Sequence, residues 1–192
     1  MIAAVILAAG ASSRMGAVKA LLPIAGETLL GRIIRLCHAA GVARTVVVLG
    51  PPHGEKIAAT LPPGIAAAWN PDPGRGMLSS VQAALPGLFT PQENGRGTLL
   101  WPVDVPLVAL HTVKQLLAGD LTQLTAPCYG DRGGHPLWLP AALFPAVLAL
   151  AATDTLRTLR QQHPLLRVAV DDPGVLRDLD TPLDYRQALA ER

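Results

Sequence analysis

Cysteine is nearly absent from this 192-residue chain. Cys37 and Cys128 stand far apart, so neither a disulfide framework nor a CxxC zinc or redox motif is available. Aromatic residues make up 4% and charged residues 16%, with a formal net charge of +2 and no basic run. A cationic, aromatic-studded surface for nucleic acid is therefore excluded. Long apolar runs are missing too. The strongest candidate, residues 136–152, is interrupted by Pro140 and Pro145 and falls short of the roughly 20 residues that cross a bilayer. The apolar N-terminus has no positive leader region and turns at Gly10, unlike a signal peptide. A reduced, cytoplasmic setting is expected, with no membrane partner.

What the chain does have is apolar bulk and punctuation. Half of its residues are hydrophobic, and it carries 18 Gly and 18 Pro. A single domain over residues 1–192 is the simplest reading of that length. Strand-like runs fall at residues 2–7, 45–49, 66–69, 98–102, 124–128, 137–139 and 166–170. Their continuous apolar character predicts strands covered on both faces. Helical patterns alternate with them. Leu29, Leu30, Ile33, Ile34, Cys37 and Ala40 recur at three and four, with Thr28 as N-cap and Gly41 as the stop. Further helices are expected near residues 54–61, 79–85, 111–117, 141–152, 155–162 and 182–190. The alternation predicts an α/β fold, Rossmann-like and doubly wound around a mostly parallel sheet. Ligands then sit beyond the carboxyl ends of the strands, where strand order reverses.

The first strand feeds the segment Leu7-Ala8-Ala9-Gly10-Ala11-Ser12-Ser13-Arg14-Met15-Gly16-Ala17-Val18-Lys19-Ala20-Leu21-Leu22-Pro23. Small residues and glycines let backbone N–H groups approach a polyphosphate, and Arg14 and Lys19 add cationic donors. A Walker-type loop has four residues between its glycines and a Lys directly after the second. Here five residues separate Gly10 from Gly16, and Lys19 comes three later, followed by Ala20. A dinucleotide fingerprint needs a middle glycine and an acidic residue after the second strand; this chain has neither, since Gly50 follows that strand. ATPase and dehydrogenase chemistry are both disfavoured.

The pattern L-A-A-G-x-S-x-R-M-G-x-x-K-x-L-L resembles the opening signature of the MobA-like NTP transferases, and among them the molybdenum cofactor cytidylyltransferases. The resemblance extends from Ile2 to Tyr185. It implies a Rossmann-like, nucleotide-diphospho-sugar transferase-like fold and nucleotide contacts from Leu7, Ala8, Ala9, Gly10, Arg14 and Lys19. Ala9, where guanylyl-transferring relatives often have Gly, implies the smaller pyrimidine nucleotide.

Four later elements carry the resemblance further. In Pro102-Val103-Asp104-Val105-Pro106 a buried strand ends in a carboxylate between prolines, a placement that suits a hard cation such as Mg²⁺ and equally a turn-forming Asp. The family's P-x-D-x-P motif implies that Asp104 is a metal ligand. Asp178-Leu179-Asp180-Thr181-Pro182-Leu183-Asp184-Tyr185 resembles the D-I-D-T-P-x-D-Y element, which implies Asp180 as the other ligand; a capping role at the helix that Pro182 opens is compatible. After the third strand, Asn70 and Gly76-Met77-Leu78-Ser79-Ser80 offer N–H groups and hydroxyls at a helix start. Their spacing resembles the nucleoside-recognition segment, implying base contacts from Gly76 and Ser80 with Asn70 nearby. Arg132-Gly133-Gly134-His135-Pro136 resembles the acceptor-side R-G-H-P element, implying acceptor binding by Gly134 and His135. Residues 153–155, Thr-Asp-Thr, depart from the Gly-rich turn that relatives often carry there.

The implied reaction is transfer of CMP from CTP to the terminal phosphate of a molybdenum-bound pterin, with Mg²⁺ as cofactor, pyrophosphate leaving, and Lys19, Arg14 and Asp104 as the catalytic group. The product would pass to a recipient molybdoenzyme. A guanylyl transferase, a cytidylyl- or sugar-nucleotide transferase with another phosphorylated acceptor, and a non-catalytic cofactor chaperone remain the alternatives.

Overall fold

The computed structural model describes residues 1–90 and 92–191. In chain order the elements are β1 (Ile2–Leu7), the small hairpin β2 (Pro23–Ile24) and β3 (Glu27–Thr28), α1 (Leu29–Ala39), β4 (Arg44–Leu49), α2 (Gly54–Ala58) and β5 (Ala66–Trp69). There follow α3 (Met77–Ala84), β6 (Gly97–Pro102), α4 (Leu110–Ala118), β7 (Thr125–Tyr129), β8 (Arg132–Gly133) and β9 (Leu137–Pro140). The chain closes with α5 (Phe144–Ala149), α6 (Leu156–Gln162), β10 (Leu166–Ala169) and α7 (Pro182–Ala190).

The main sheet runs β10-β7-β9-β6-β1-β4-β5, with β8 paired to β7. β1 is central and pairs in parallel with β4 and β6, β4 with β5, and β7 with β10. β9 runs against both β6 and β7. The fold is thus α/β with a mostly parallel, mixed sheet, as the alternation of patterns predicts. Strand order reverses beside β1: the chain moves outward through β4 and β5, then returns to β1's other side as β6. Leu7 lies in register with both Val48 and Pro102, so the loops after β1 and β6 leave the sheet side by side.

Alternation along β1 divides two cores. Ala4 and Ile6 join Val47, Leu99 and Trp101 under Leu30, Ile33 and Cys37 of α1 and Val113 of α4. Ala3 and Val5 join Val46, Val48 and Leu100 under Leu78 and Val81 of α3, Val147 of α5 and Leu159 of α6. Thr28 caps α1 by accepting from the Gly31 N–H at 2.9 Å, and Gly41, at φ +83°, turns the chain away from it. Trp101 and Trp138 are fully buried, and each indole N–H donates to a backbone carbonyl, Val105 at 2.9 Å and Leu121 at 3.0 Å.

Several local expectations shift. The edge strands β5 and β10 are substantially exposed rather than covered on both faces, since each has a neighbour on one side only. The predicted helix at 141–152 becomes a 3₁₀ turn over Ala141–Leu143 and the short α5, which starts with Pro145 in its first turn. The β2–β3 hairpin and β8 have two residues per strand, too few for a periodic signal.

Candidate active site

The loop after β1 carries the strand pairing one step further, with the Ala8 N–H donating to the Val48 carbonyl at 3.0 Å. It then reverses through positive φ at Ser12 (+51°) and Gly16 (+65°). The Ser12 hydroxyl accepts from the Lys19 N–H at 3.2 Å, fixing the start of a 3₁₀ turn over Lys19–Leu21. Lys19 is consequently buried along its stem, with its side chain 10% exposed. Its ammonium donates to Asp180 Oδ1 at 2.8 Å and to Asp104 Oδ2 at 3.3 Å. Arg14, 68% exposed, donates to the other oxygen of Asp180 at 2.8 Å. Loop cations and downstream carboxylates therefore meet at one point, although 85 and 161 residues separate Lys19 from its two partners.

Backbone ties hold the carboxylates. The Val103 N–H donates to the Leu7 carbonyl and the Val105 N–H to that of Pro102, so Asp104 sits in a tight turn braced by Trp101. The Leu179 N–H donates to the Asp104 carbonyl at 2.7 Å, stitching the Asp178–Asp180 segment to that turn. Leu179 is itself buried in a third small core with Ile24, Leu29 and Ala188. Thr181 and Asp184 then form a reciprocal capping box at the start of α7, so the cap belongs to Thr181 and Asp180 is left to face Lys19.

The hydrogen bond from Lys19, with the Arg14 charge behind it, holds Asp180 below its ordinary value of 3.8 against the opposing effect of its partial burial. Asp178 is held above that value, first by burial and then by the charges of Asp104 and Asp180. It is a third carboxylate at this centre that the motifs did not single out. Two hard carboxylates converging on one cation-sized position, open to phosphate oxygens and water, are the donor chemistry that Mg²⁺ or Mn²⁺ takes, and Asp104 and Asp180 fit it. Among the described residues no cluster of three or more His, Cys, Asp or Glu completes an all-protein metal cage.

On the β5 side, Gly50 lies where β4 ends. A Cβ there would meet the Asn70 carbonyl oxygen at 2.5 Å and Ala9 Cβ at 3.3 Å, so glycine is required for the ends of β1, β4 and β5 to pack together. Buried Asn70 spends its amide inwardly: Nδ2 donates to the hydroxyls of Ser79 and Ser80, each at 2.9 Å, and Oδ1 accepts from the Asp72 N–H. Ser79 donates onward to the Gly76 carbonyl at 2.8 Å, whereas Ser80 makes no donor bond among the described residues. Asn70 thus holds both hydroxyls, and the one left to donate is that of Ser80. Gly76, at φ +89°, leads into α3 without a side-chain cap, leaving first-turn N–H groups open.

Gly134 and His135 lie between β8 and β9. A Cβ on Gly134 would fall 2.2 Å from the Val175 carbonyl oxygen, which accepts from the His135 N–H at 2.9 Å. His135 Nδ1 is buried and has no hydrogen-bond partner. Burial pushes the imidazole below its ordinary value of 6.5, opposed by the Asp104 charge, so it is neutral near pH 7. Cys37, beneath α1, is pushed up to about 12 by burial and is an inert core thiol. Among the described residues, no helix is long and apolar enough to cross a membrane.

A mostly parallel, mixed sheet with the loop and carboxylates gathered at its reversal point is an α/β fold of the nucleotide-diphospho-sugar transferase-like type. The MobA-like NTP transferase domain matches residues 4–168, and the chain belongs to that family. It is 30% identical to a molybdenum cofactor guanylyltransferase of Rhodobacter capsulatus, covering 97% of this chain and 94% of that protein. It is 24% identical to the molybdenum cofactor cytidylyltransferase of Escherichia coli K12, covering 94% and 92%. A match to the bifunctional protein GlmU of Halorhodospira halophila, 36% identical, covers 70% of this chain and spans 28% of that longer protein. Nicotine blue oxidoreductase of Paenarthrobacter nicotinovorans is 32% identical over 92% and 91%. Among solved structures, Rv0371c of Mycobacterium tuberculosis superposes with a TM-score of 0.85 at 30% identity, covering 98% and 97%, and was also crystallised in complex with manganese. Relatives of one architecture thus carry different activity names, so activity is carried by the site and not by the fold.

Proposed function

We propose that this chain, as a single nucleotidyltransferase domain, transfers CMP from CTP to the terminal phosphate of a molybdenum-bound pterin and releases pyrophosphate. The observation that carries the reading is the meeting of Lys19 and Arg14 with Asp104 and Asp180 at the reversal point of the sheet. No protein nucleophile is required, because the acceptor phosphate attacks the α-phosphorus in line while the protein positions the reactants and neutralises charge. Lys19 turns from the two carboxylates to the phosphate oxygens, Arg14 follows from Asp180, and the open N–H groups of Ala9 and Gly10 complete the cradle. Asp104 and Asp180, released from the ammonium, would hold Mg²⁺, which would supply charge neutralisation between the α-phosphate and the acceptor. Ser80 donates to the base, with Asn70 holding its hydroxyl in place, and Gly134 and His135 border the acceptor.

Ala9, buried and in contact range of the tight Gly50 crossing, supports the smaller pyrimidine. A guanylyl reading is favoured by one finding, the higher identity to the R. capsulatus guanylyltransferase than to the E. coli cytidylyltransferase. Pyrophosphate release measured with each NTP and Mg²⁺, with and without molybdenum cofactor, separates the two. CTP-dependent, cofactor-dependent release is expected; release with GTP alone among the nucleotides transfers the assignment to guanylyl chemistry, and no release with any NTP defeats it.

A further inference from the structure

Beyond His135 the molecule has a set of guanidinium groups that the reading above does not use. A cavity of about 280 Å³ runs from Gly134 and His135 to Arg157 and Arg160 on α6. The same two arginines border a neighbouring cavity of about 510 Å³ with Arg75, and another of about 490 Å³ with Arg167. The three spaces form one groove with Arg157 and Arg160 at its centre. Among the described residues, the side chains of Arg75, Arg157 and Arg160 form neither an ion pair nor a hydrogen bond, and Arg167 donates only to the Asp131 carbonyl, at 3.2 Å. One carboxylate lines the groove, Asp154, and it accepts from the Ala151 N–H at 2.8 Å. The groove is therefore strongly cationic.

Two further features shape this space. His135 lines its inner end, with Nδ1 closed off from the cavity and without a hydrogen-bond partner. Between the imidazole and the arginines the wall is apolar, made by Leu137, Leu156 and Leu165. A neutral imidazole, an apolar wall and paired planar guanidinium groups suit a molecule with a largely apolar body and an anionic group. We propose that Arg157 and Arg160 form a second anion subsite, which receives an anionic group of the acceptor remote from its reacting phosphate. This rests on the acceptor entering beside Asp104, and it narrows the acceptor to molecules with two anionic ends.

The test uses binding, so it does not depend on turnover. Calorimetric titrations are run on the full chain carrying Lys19→Ala, which weakens the anion site at the loop, with inorganic phosphate and with phenyl phosphate as probes. Phenyl phosphate is expected to bind at least tenfold more tightly than inorganic phosphate, because the apolar wall takes the ring. Adding R157Q and R160Q is expected to weaken it at least tenfold more, while R157K with R160K restores part of the loss. Both arginines are exposed, so the fold tolerates these changes. Equal affinity for the two probes marks a site for free phosphate and overturns the proposal, as does unchanged binding in R157Q/R160Q or no binding of either probe. Failure of the nucleotidyltransferase reading is seen separately, as absent NTP-dependent pyrophosphate release by the unmodified chain.

Discussion

Lys19 is the residue on which the proposed chemistry turns. Its ammonium lies between two carboxylates that would otherwise face each other, and its stem is packed out of water. Lys19→Ala is expected to cut pyrophosphate release by about 10²-fold or more, the scale of losing one preorganised charge contact to a transferring group. Lys19→Arg should also be poor, because a planar fork does not fit a space shaped for a compact ammonium. Near-normal turnover in either variant, with thermal unfolding unchanged, would remove Lys19 from the mechanism. Its place in the loop signature singles Lys19 out in the sequence, and the later motifs single out Asp104 and Asp180 in the same way. What could not be read was the contact: a salt bridge across 161 residues has no local signal. The inward use of Asn70 was hidden for the same reason, since only the fold places the Ser79 and Ser80 hydroxyls on its amide.

At the scale of elements, the site depends on short pieces packed against one another. Leu179, 1% exposed, anchors the Asp178–Asp180 segment into the core made by the β2–β3 hairpin, α1 and α7. Leu179→Ala should cost about 2–5 kcal/mol by leaving a cavity, and should loosen Asp180 from Lys19. Denaturant unfolding checks the first effect. Activity falling beyond the loss of folded protein checks the second; a variant as active per folded molecule as the parent would show that Asp180 is positioned otherwise. The same hairpin is tied to α1 by Glu27, which accepts from Arg35 at 2.8 and 3.0 Å and from Arg32 at 3.4 Å. The Arg35 hydrogen bond, with both cationic charges, holds Glu27 below its ordinary value of 4.5. A carboxylate depressed in the folded state stabilises above its unfolded pKa, and that contribution is lost as pH falls through the folded value. Glu27→Gln should therefore lower stability near pH 7 by about 0.5–1 kcal/mol and leave it unchanged well below pH 4, as read from unfolding midpoints across pH. Equal loss at both pH values would mean packing, not charge. Elements as short as this hairpin carry no periodicity, so the sequence showed α1 and its Thr28 cap but not the strands that precede it.

The whole molecule places its chemistry by topology. β1 is flanked in parallel by β4 and β6, so the loop carrying Lys19 and the turn carrying Asp104 must emerge together, and the antiparallel β9 brings His135 in from the far half of the sheet. The reversal point could be anticipated from alternating strand and helix patterns, because parallel strands require crossovers. The antiparallel insertion of β9 could not, since its apolar run reads the same in either direction. One consequence concerns stability. If nucleotide and metal bind where the two halves of the sheet meet, they bind the folded chain and not the unfolded one, and must raise its stability by mass action. CTP with Mg²⁺ at about 100 times its dissociation constant should add about 2.7 kcal/mol, a rise in Tm of roughly 5–11 °C for a chain of this size. Chelating the divalent ion should remove most of that gain while leaving the ligand-free Tm where it was, because Lys19 then returns to Asp104 and Asp180 and no carboxylate is left uncompensated. Asp104→Asn should behave as the chelated protein does, with or without added Mg²⁺. A full CTP-dependent shift in the presence of chelator would separate nucleotide binding from the two carboxylates, and a fall in the ligand-free Tm on chelation would mean that the metal holds the fold together rather than serving the substrate.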